Sequence, residues 1–370
     1  MPRIAFYAPL KPPDHPVPSG DRRVAQLFLA ALHSAGYRPF VASRLRSYDA
    51  VGDPRRQARL ASQGGRIAAA LVERWRRLPD AAPVLWFTYH LYYKAPDWIG
   101  PAVAEALGIP YVVAEASFAA KRAGGPWDLS HRAVERALRR ADAVIGVNSA
   151  DRSGVLPLLA EPGRWLALPP FVDARAFRAV PPRPGSASAR LIVLAMMRHG
   201  DKLASYRVLG EALARVLDLP WSLTVIGDGP ARAEVEAALA PLGDRVFWRG
   251  QLGPNEVVAA LAAADLCVWP AINEAFGMAL LEAQASGVPV VAGATGGVGD
   301  VVASGETGLL VPAGDAAAFA EAVRALLLYP ERRQAMAEAA WRRVRRDHDL
   351  PVATAALAAR FARLRMARAA

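Results

Sequence analysis

Short apolar runs alternate with longer stretches whose apolar positions recur every three or four residues, and this rhythm holds through most of the chain. Residues 4–8 form the first run. A Pro/Gly-rich loop over 9–20 leads to an amphipathic stretch, 22–35, closed by Gly36, and then to a second short run, 39–42. Strand, helix and strand in that order predict a parallel sheet. Further strands are predicted at 84–88, 111–114 and 143–147, separated by helical stretches at 97–107 and 129–141.

Pro169-Pro170 punctuates the chain, and a Pro/Ser/Gly-rich segment over 179–190 reads as a linker. A second βα series follows it. Strands are predicted at 191–195, 222–226, 245–248, 265–269, 288–292 and 308–311. Helices are predicted at 204–217, 231–240, 254–263, 277–286, 315–328 and 331–346. A last Arg-studded amphipathic stretch covers 353–368. The expected organisation is a first Rossmann-like domain over 1–178, the linker, a second such domain over 191–346, and a C-terminal helical segment over 347–370. At 370 residues the chain has room for two domains, and 53% hydrophobic residues exclude a disordered or fibrous class.

Charge adds one question. Net charge is +11, and only Lys11, Lys94, Lys121 and Lys202 among the 45 basic residues are lysine. This surplus of arginine reads either as the coding habit of a GC-rich genome or as attraction to anionic headgroups or nucleic acid. No zinc-finger spacing or basic-region heptad is present, so nucleic acid is not expected as a partner. The run over 3–9 is far shorter than a secretory h-region, and no segment has about 18 uncharged apolar residues. The single cysteine, Cys267, falls in an apolar strand and supports no disulfide. A cytoplasmic location follows as the expectation.

The candidate chemistry gathers after strand ends. Residues 274–282 read Glu-Ala-Phe-Gly-Met-Ala-Leu-Leu-Glu. Glu274 falls on the loop after the predicted strand 265–269, and Glu282 inside the helix that follows. In open α/β sheets ligands bind outside the carboxyl ends of the strands. The amides of Phe276, Gly277 and Met278 at a helix start favour an anion such as phosphate. Two carboxylates beside an anion site suit a ligand that carries both hydroxyls and phosphates, as a nucleotide sugar does. Arg198 and Lys202 flank a loop after the strand 191–195, where two cations suit a pyrophosphate. In a chain so poor in lysine, Lys202 points to a specific need.

Other features keep two readings. Gly227-Asp-Gly-Pro230 opens like a dinucleotide fingerprint but has Arg232 where the third glycine would stand. Gly296-Gly297 permits either backbone approach to a ligand or a flexible loop. Ser19-Gly20-Asp21 serves as a helix cap, a site edge, or both. His90 and Glu115, near the ends of strands 84–88 and 111–114, are candidate sugar contacts or packing residues. Asp347-His348-Asp349 reads as a helix terminus, and no metal site is expected.

Taken together, Arg198 with Lys202, Gly227–Pro230, Phe247-Trp-Arg-Gly250, Asp265–Pro270, the Glu274-x7-Glu282 spacing, Gly287–Val291 and Gly296-Gly297 fall in an order that resembles the family-4 glycosyltransferases. That resemblance implies an α/β GT-B fold, two doubly wound Rossmann-like domains facing across a cleft. It implies a retaining, metal-independent transferase of bacterial cell-surface type, moving a hexose-type sugar from a UDP- or GDP-type donor to a glycan or lipid-linked acceptor, with no cofactor. Catalytic roles would fall to Glu274, Arg198 and Lys202. Donor contacts would fall to Gly20, Gly227, Leu252, Phe276, Gly277, Met278 and Glu282, with Glu274 on the sugar and Glu282 on the ribose. Contact with an anionic membrane at its inner face would fit a lipid-linked acceptor. Two other readings stay open: a nucleotide-sugar epimerase of similar fold, and a non-catalytic sugar or nucleic-acid binder.

Overall fold

The computed structural model describes residues 1–17, 19–177 and 188–369. Most of the expected linker, residues 179–187, lies outside these. The chain divides into two compact units, Met1–Pro169 with Leu350–Ala370, and Pro170–Asp349.

The first unit is built on a six-stranded sheet in the order β2-β1-β3-β4-β5-β6. Its strands are β1 (Arg3–Tyr7), β2 (Arg38–Ser43), β3 (Leu85–Leu91), β4 (Tyr111–Ala116), β5 (Ala143–Gly146) and β6 (Trp165–Ala167). Every pairing is parallel. The chain moves outward from β1 to β2, then returns to place β3 on the other side of β1, so the direction of growth reverses between β1 and β3.

Two elements go beyond the sequence expectation. The strand β6 is only three residues long and carries too little pattern to stand out. The helix Pro54–Arg77 is rich in arginine, and its buried residues are few: Gln57, Gly64, Ala68, Val72 and Trp75. Its start is nonetheless well specified, because Asp53 caps it through Arg55 N (2.9 Å) and Pro54 occupies the first helical position.

An aromatic core lies under the helix Gly20–Ser34. Phe28 packs against Phe87 and Tyr89 with ring centroids 5.4 and 5.5 Å apart. Helix Leu350–Ala369 belongs to this unit and sets Phe361 edge-on to Tyr37 and Phe87, at 5.8 and 6.3 Å. The far side of the sheet holds a polar knot. Buried Asp97 accepts from the Trp86 indole (3.2 Å), the Thr88 hydroxyl (2.5 Å), the Tyr111 hydroxyl (3.2 Å) and the amides of Ile99 and Gly100 (2.8 and 2.7 Å). Asp97 therefore acts as a cap just before the helix Gly100–Leu107 rather than as its first residue.

The second unit has its own parallel sheet, in the order β12-β11-β10-β7-β8-β9. Its strands are β7 (Ala189–Leu194), β8 (Trp221–Ile226), β9 (Val246–Gly250), β10 (Leu266–Trp269), β11 (Val290–Gly293) and β12 (Gly308–Val311). Growth runs outward from β7 through β9 and reverses between β7 and β10. A bidentate pair fastens those two strands near their starts: Arg190 grips Asp265 through Nε (2.9 Å) and NH2 (2.8 Å), while the Arg190 amide donates to the same carboxylate (2.8 Å). Cys267 is buried in β10. Among the described residues, no helix is long and apolar enough to cross a membrane.

Candidate functional site

In the second unit the candidate residues collect at the carboxyl ends of β7 and β10, where the sheet reverses. This is the position at which open α/β sheets bind ligands. The helix Asp201–Ala214 begins earlier than its apolar pattern suggests, because Gly200 takes a left-handed turn (φ 79°) as its N-cap. Lys202 therefore stands in the first helical turn rather than in the loop, while Arg198 remains in the loop after β7 and is exposed.

The loop after β10 carries Glu274 to Lys202. Ala271 and Asn273 are both left-handed (φ 54° and 52°), a conformation that costs a non-glycine residue about 1–2 kcal/mol. The loop is held in it by side chains of the neighbouring helix. Ile272 N donates to Ser205 Oγ (3.0 Å), and Asn273 Nδ2 donates to Asp201 Oδ2 (2.8 Å). Thr295, after β11, locks the other side: its hydroxyl donates to Ala271 O (2.6 Å) and accepts from Glu274 N (3.3 Å).

The result is a direct contact between the Lys202 ammonium and Glu274 Oε2, with both side chains mostly buried. Trp269, the last residue of β10, donates from its indole to the same oxygen (3.1 Å), and its ring lies under the ammonium, which stands 5.2 Å from the ring centroid.

Two glycines make the close approaches that this arrangement requires. Gly227 (φ 142°) turns after β8, where a Cβ would stand 1.9 Å from Ala195 O at the exit of β7. Gly296 (φ 48°) lies so close to the Glu274 loop that a Cβ would stand 2.2 Å from Glu274 O, and Gly297 N donates to Ala275 O (2.5 Å). The Gly296-Gly297 pair thus serves the approach of one loop to another.

The remaining donor candidates are placed as follows. Gly277 caps the helix Met278–Ala285 with φ 76°, so the Phe276 and Gly277 amides precede the helix and only that of Met278 belongs to its first turn. Glu282 is half-buried in the second turn of that helix. Leu252 follows β9, which is separated from β10 by β7 and β8. Gly20 belongs to the first unit, where it opens the helix Gly20–Ser34 after the cap Ser19.

A second group forms in the first unit, also at the carboxyl edge of its sheet. Strand β3 runs on through His90 and β4 through Glu115, so both lie inside strand ends rather than after them, each with left-handed backbone (φ 60° and 56°). His90 Nδ1 meets Asp21 Oδ1 at 2.9 Å and Glu115 Oε1 at 3.7 Å, and the Tyr92 ring lies 4.9 Å from the imidazole. Burial alone would lower the His90 pKa, but Glu115 and Asp21 overcome it and hold the imidazole at about 9. Burial pushes the Glu115 carboxyl up, with His90 opposing it. Burial pushes the Asp21 carboxyl up, but the bond to His90 and the charges of His90 and Lys11 together outweigh it and hold Asp21 below the ordinary carboxylate range.

Sequence reasoning named His90 and Glu115 but missed Asp151, whose carboxyl is raised by burial, with Ser117 and His90 opposing it. It also missed Trp269 and Thr295 as supports of Glu274. An indole at the end of an apolar strand needs a polar partner, and that need was the readable signal for Trp269. No group of three or more His, Cys, Asp or Glu among the described residues could hold a metal ion.

Comparison with known proteins adds the following. The family profile described as "Glycosyl transferases group 1" matches residues 185–343. The D-inositol 3-phosphate glycosyltransferase of Frankia alni is 31% identical over 283 residues, 68% of this chain and 68% of that protein. Its counterpart in Kineococcus radiotolerans is 31% identical over 288 residues, 69% of this chain and 66% of that protein. The 2-deoxystreptamine glucosyltransferase of Streptomyces kanamyceticus is 30% identical over 252 residues, 62% of this chain and 64% of that protein. The match to the last two thus spans slightly less than two thirds of their own length.

Among solved structures, sucrose-phosphate synthase from Thermosynechococcus elongatus superposes with a TM-score of 0.75 at 21% identity, covering 99% of this chain and 100% of that one. Anabaena HepE in complex with UDP gives a TM-score of 0.74 at 15% identity, covering 98% and 100%. These structures share the fold of this chain, two parallel six-stranded sheets flanked by helices, which is the GT-B fold.

Proposed function

The chain belongs to the group 1 glycosyltransferases, and from that premise we propose that it moves a hexose-type sugar from a nucleoside diphosphate donor to a hydroxyl acceptor, with retention at the anomeric carbon and without a metal ion. The observation that carries this reading is the meeting of Lys202 and Glu274 where the second sheet reverses. A cation and a carboxylate, side by side at a strand-end site, match a ligand that presents phosphate next to sugar hydroxyls.

In the proposed reaction, the bond between the anomeric carbon and the terminal phosphate oxygen breaks. The acceptor oxygen bonds to the same face of that carbon, and its proton leaves with the nucleoside diphosphate. Lys202 and Arg198 offset the charge that builds on the departing diphosphate, the kind of fixed electrostatic stabilisation that usually contributes most to catalysis. The amides of Phe276, Gly277 and Met278 add backbone donors. Glu274 accepts from the sugar hydroxyls and Glu282 from the ribose. Gly227 lets the backbone come near the ligand, and Leu252 stands near the base. Uridine or guanosine is the proposed nucleoside; UDP is the ligand named for HepE.

The acceptor is proposed to be a glycan or a lipid-linked sugar, met by the first unit, with His90 and Glu115 as sugar contacts. An anionic membrane surface at the cytoplasmic face would suit the charge pattern. The helix Pro54–Arg77 exposes Arg55, Arg56, Arg59 and Arg66 along its length and Arg74, Arg76 and Arg77 in its last turns, against Glu73 alone. Relatives differ in acceptor, one being named for an inositol phosphate and another for 2-deoxystreptamine.

The test is release of nucleoside diphosphate from a panel of nucleotide sugars, with and without acceptor glycans, and the anomeric configuration of the product by NMR. Release that depends on acceptor, with retained configuration, is expected. Interconversion of sugars on the intact donor would favour an epimerase instead.

A further inference from the structure

We propose that the first unit holds a binding site of its own for a hydroxyl-rich ligand bearing a protonated amine, formed by Asp21, His90, Glu115 and Asp151 at the carboxyl edge of β3, β4 and β5. It deepens the transferase reading, on which it rests only in calling that ligand the acceptor.

Glu115 carries the inference. The residue is 9% exposed, and its Oε2 is buried without a hydrogen-bond partner. Its other oxygen, Oε1, stands 3.7 Å from His90 Nδ1, but that nitrogen is already engaged by Asp21 at 2.9 Å. The Tyr89 hydroxyl lies near Glu115 but outside hydrogen-bonding geometry, and it too is buried without a partner. A buried carboxylate oxygen left without a donor costs free energy unless something supplies one. Asp151 adds a third carboxylate that bears on His90.

The balance of charge then selects the ligand. Three carboxyl groups face two cations, the His90 imidazolium and the Lys11 ammonium, which bears on Asp21 and donates to Ser19 Oγ (2.9 Å). The group is rich in acceptors and short of both donors and positive charge. A phosphate would be repelled. A neutral hydroxyl would supply a donor but no charge, whereas an ammonium supplies both, and a charge-assisted bond is roughly twice as strong as a neutral one. The raised Glu115 and Asp151 carboxyls fit the same account, because burial disfavours their charge and an arriving cation would offset that burial. The Tyr92 ring, 4.9 Å from the imidazole, gives a sugar ring an apolar face to pack on.

The experiment is calorimetry on the full chain with glucosamine, glucose and glucose 6-phosphate, which share one ring and differ in charge. Glucosamine is expected to bind at least tenfold more tightly than glucose, and glucose 6-phosphate more weakly than either. Glu115→Gln should cost glucosamine roughly tenfold in affinity, and Asp151→Asn gives the same readout should the first variant fail to fold. Equal binding of glucosamine and glucose, no binding of glucosamine, or an affinity unmoved in a folded variant would overturn the proposal. Nucleoside diphosphate binding, titrated in the same samples, separates the two readings. Its absence with amine binding intact would sink the transferase reading alone.

Discussion

The Lys202 ammonium and the Glu274 carboxylate, 72 residues apart in the chain, form an ion pair at the point where the second sheet reverses its growth. Trp269 donates to the same carboxylate, and Thr295 and Ser205 fix the loop that carries it. Glu274 is therefore positioned by three separate elements. Glu274→Gln keeps the shape and removes the charge. It should lower kcat about 100-fold or more, as the loss of one preorganised polar contact does at such sites. The fold should survive, because Gln keeps an oxygen for the Trp269 indole and the Lys202 side chain retains some access to solvent. Steady-state kinetics beside a thermal melt check both halves, and a kcat within a factor of three of the parent would count against the assigned role.

Gly227 tests the backbone side of the same site. A Cβ there would stand 1.9 Å from Ala195 O, backbone against backbone, at a φ that L-residues rarely adopt. Gly227→Ala should cost roughly 3 kcal/mol or more, from strain and overpacking together. Gly65→Ala is the control: it lies in the helix Pro54–Arg77 with nothing near its Cβ, and it should stabilise by about 0.5–1 kcal/mol. Denaturant melts of the two variants should move in opposite directions.

The Asp97 knot predicts a stability effect far from the second unit. Five donors converge on one buried carboxylate. Asp97→Ala would strand two amides and two hydroxyls in the interior and leave the Trp86 indole with Thr88 Oγ1 alone. A loss on the order of 4 kcal/mol in unfolding of the first unit is expected. Nucleotide binding by the second unit should survive at temperatures where the variant remains folded.

His90 makes stability depend on pH. Its folded pKa, about 9, exceeds the ordinary histidine value of 6.5. The stabilisation is therefore complete below about pH 6.5 and is lost as pH rises toward 9. Wild-type protein should lose on the order of 2 kcal/mol over that interval, allowing for partial solvent screening of the pair. His90→Asn should show a flatter profile there. Melts between pH 6 and 9.5 give the comparison, and parallel profiles would contradict the assignment.

Much of this architecture was legible in the pattern of the chain, for reasons that also explain what was not. Buried parallel strands are continuous apolar runs, so β7, β8, β10 and β11 stood out, and helix rhythm between them implied a parallel sheet. β6 is too short to register, and the Arg-rich helix Pro54–Arg77 buries so narrow a stripe that its period was lost among charges. Local conformation was harder still. Nothing in Thr88-Tyr-His-Leu91 shows that the strand continues through His90 with left-handed backbone. The Asp21–His90 contact joins residues 69 positions apart, and Lys202–Glu274 joins residues 72 apart. Such pairs depend on which strands become neighbours, and the order of the sheets settles that rather than local spacing.

The most direct test of the central claim, that Lys202 and Glu274 mark a nucleoside diphosphate site, is calorimetric titration of UDP and GDP into the wild-type chain and Lys202→Ala. One of the two diphosphates should bind the wild type, and the variant should bind it at least tenfold more weakly, since a charge-assisted contact contributes about 1.5–3 kcal/mol. Its thermal midpoint should remain close to that of the parent. Failure of both diphosphates to bind the wild type, or equal affinity in the folded variant, would contradict the account.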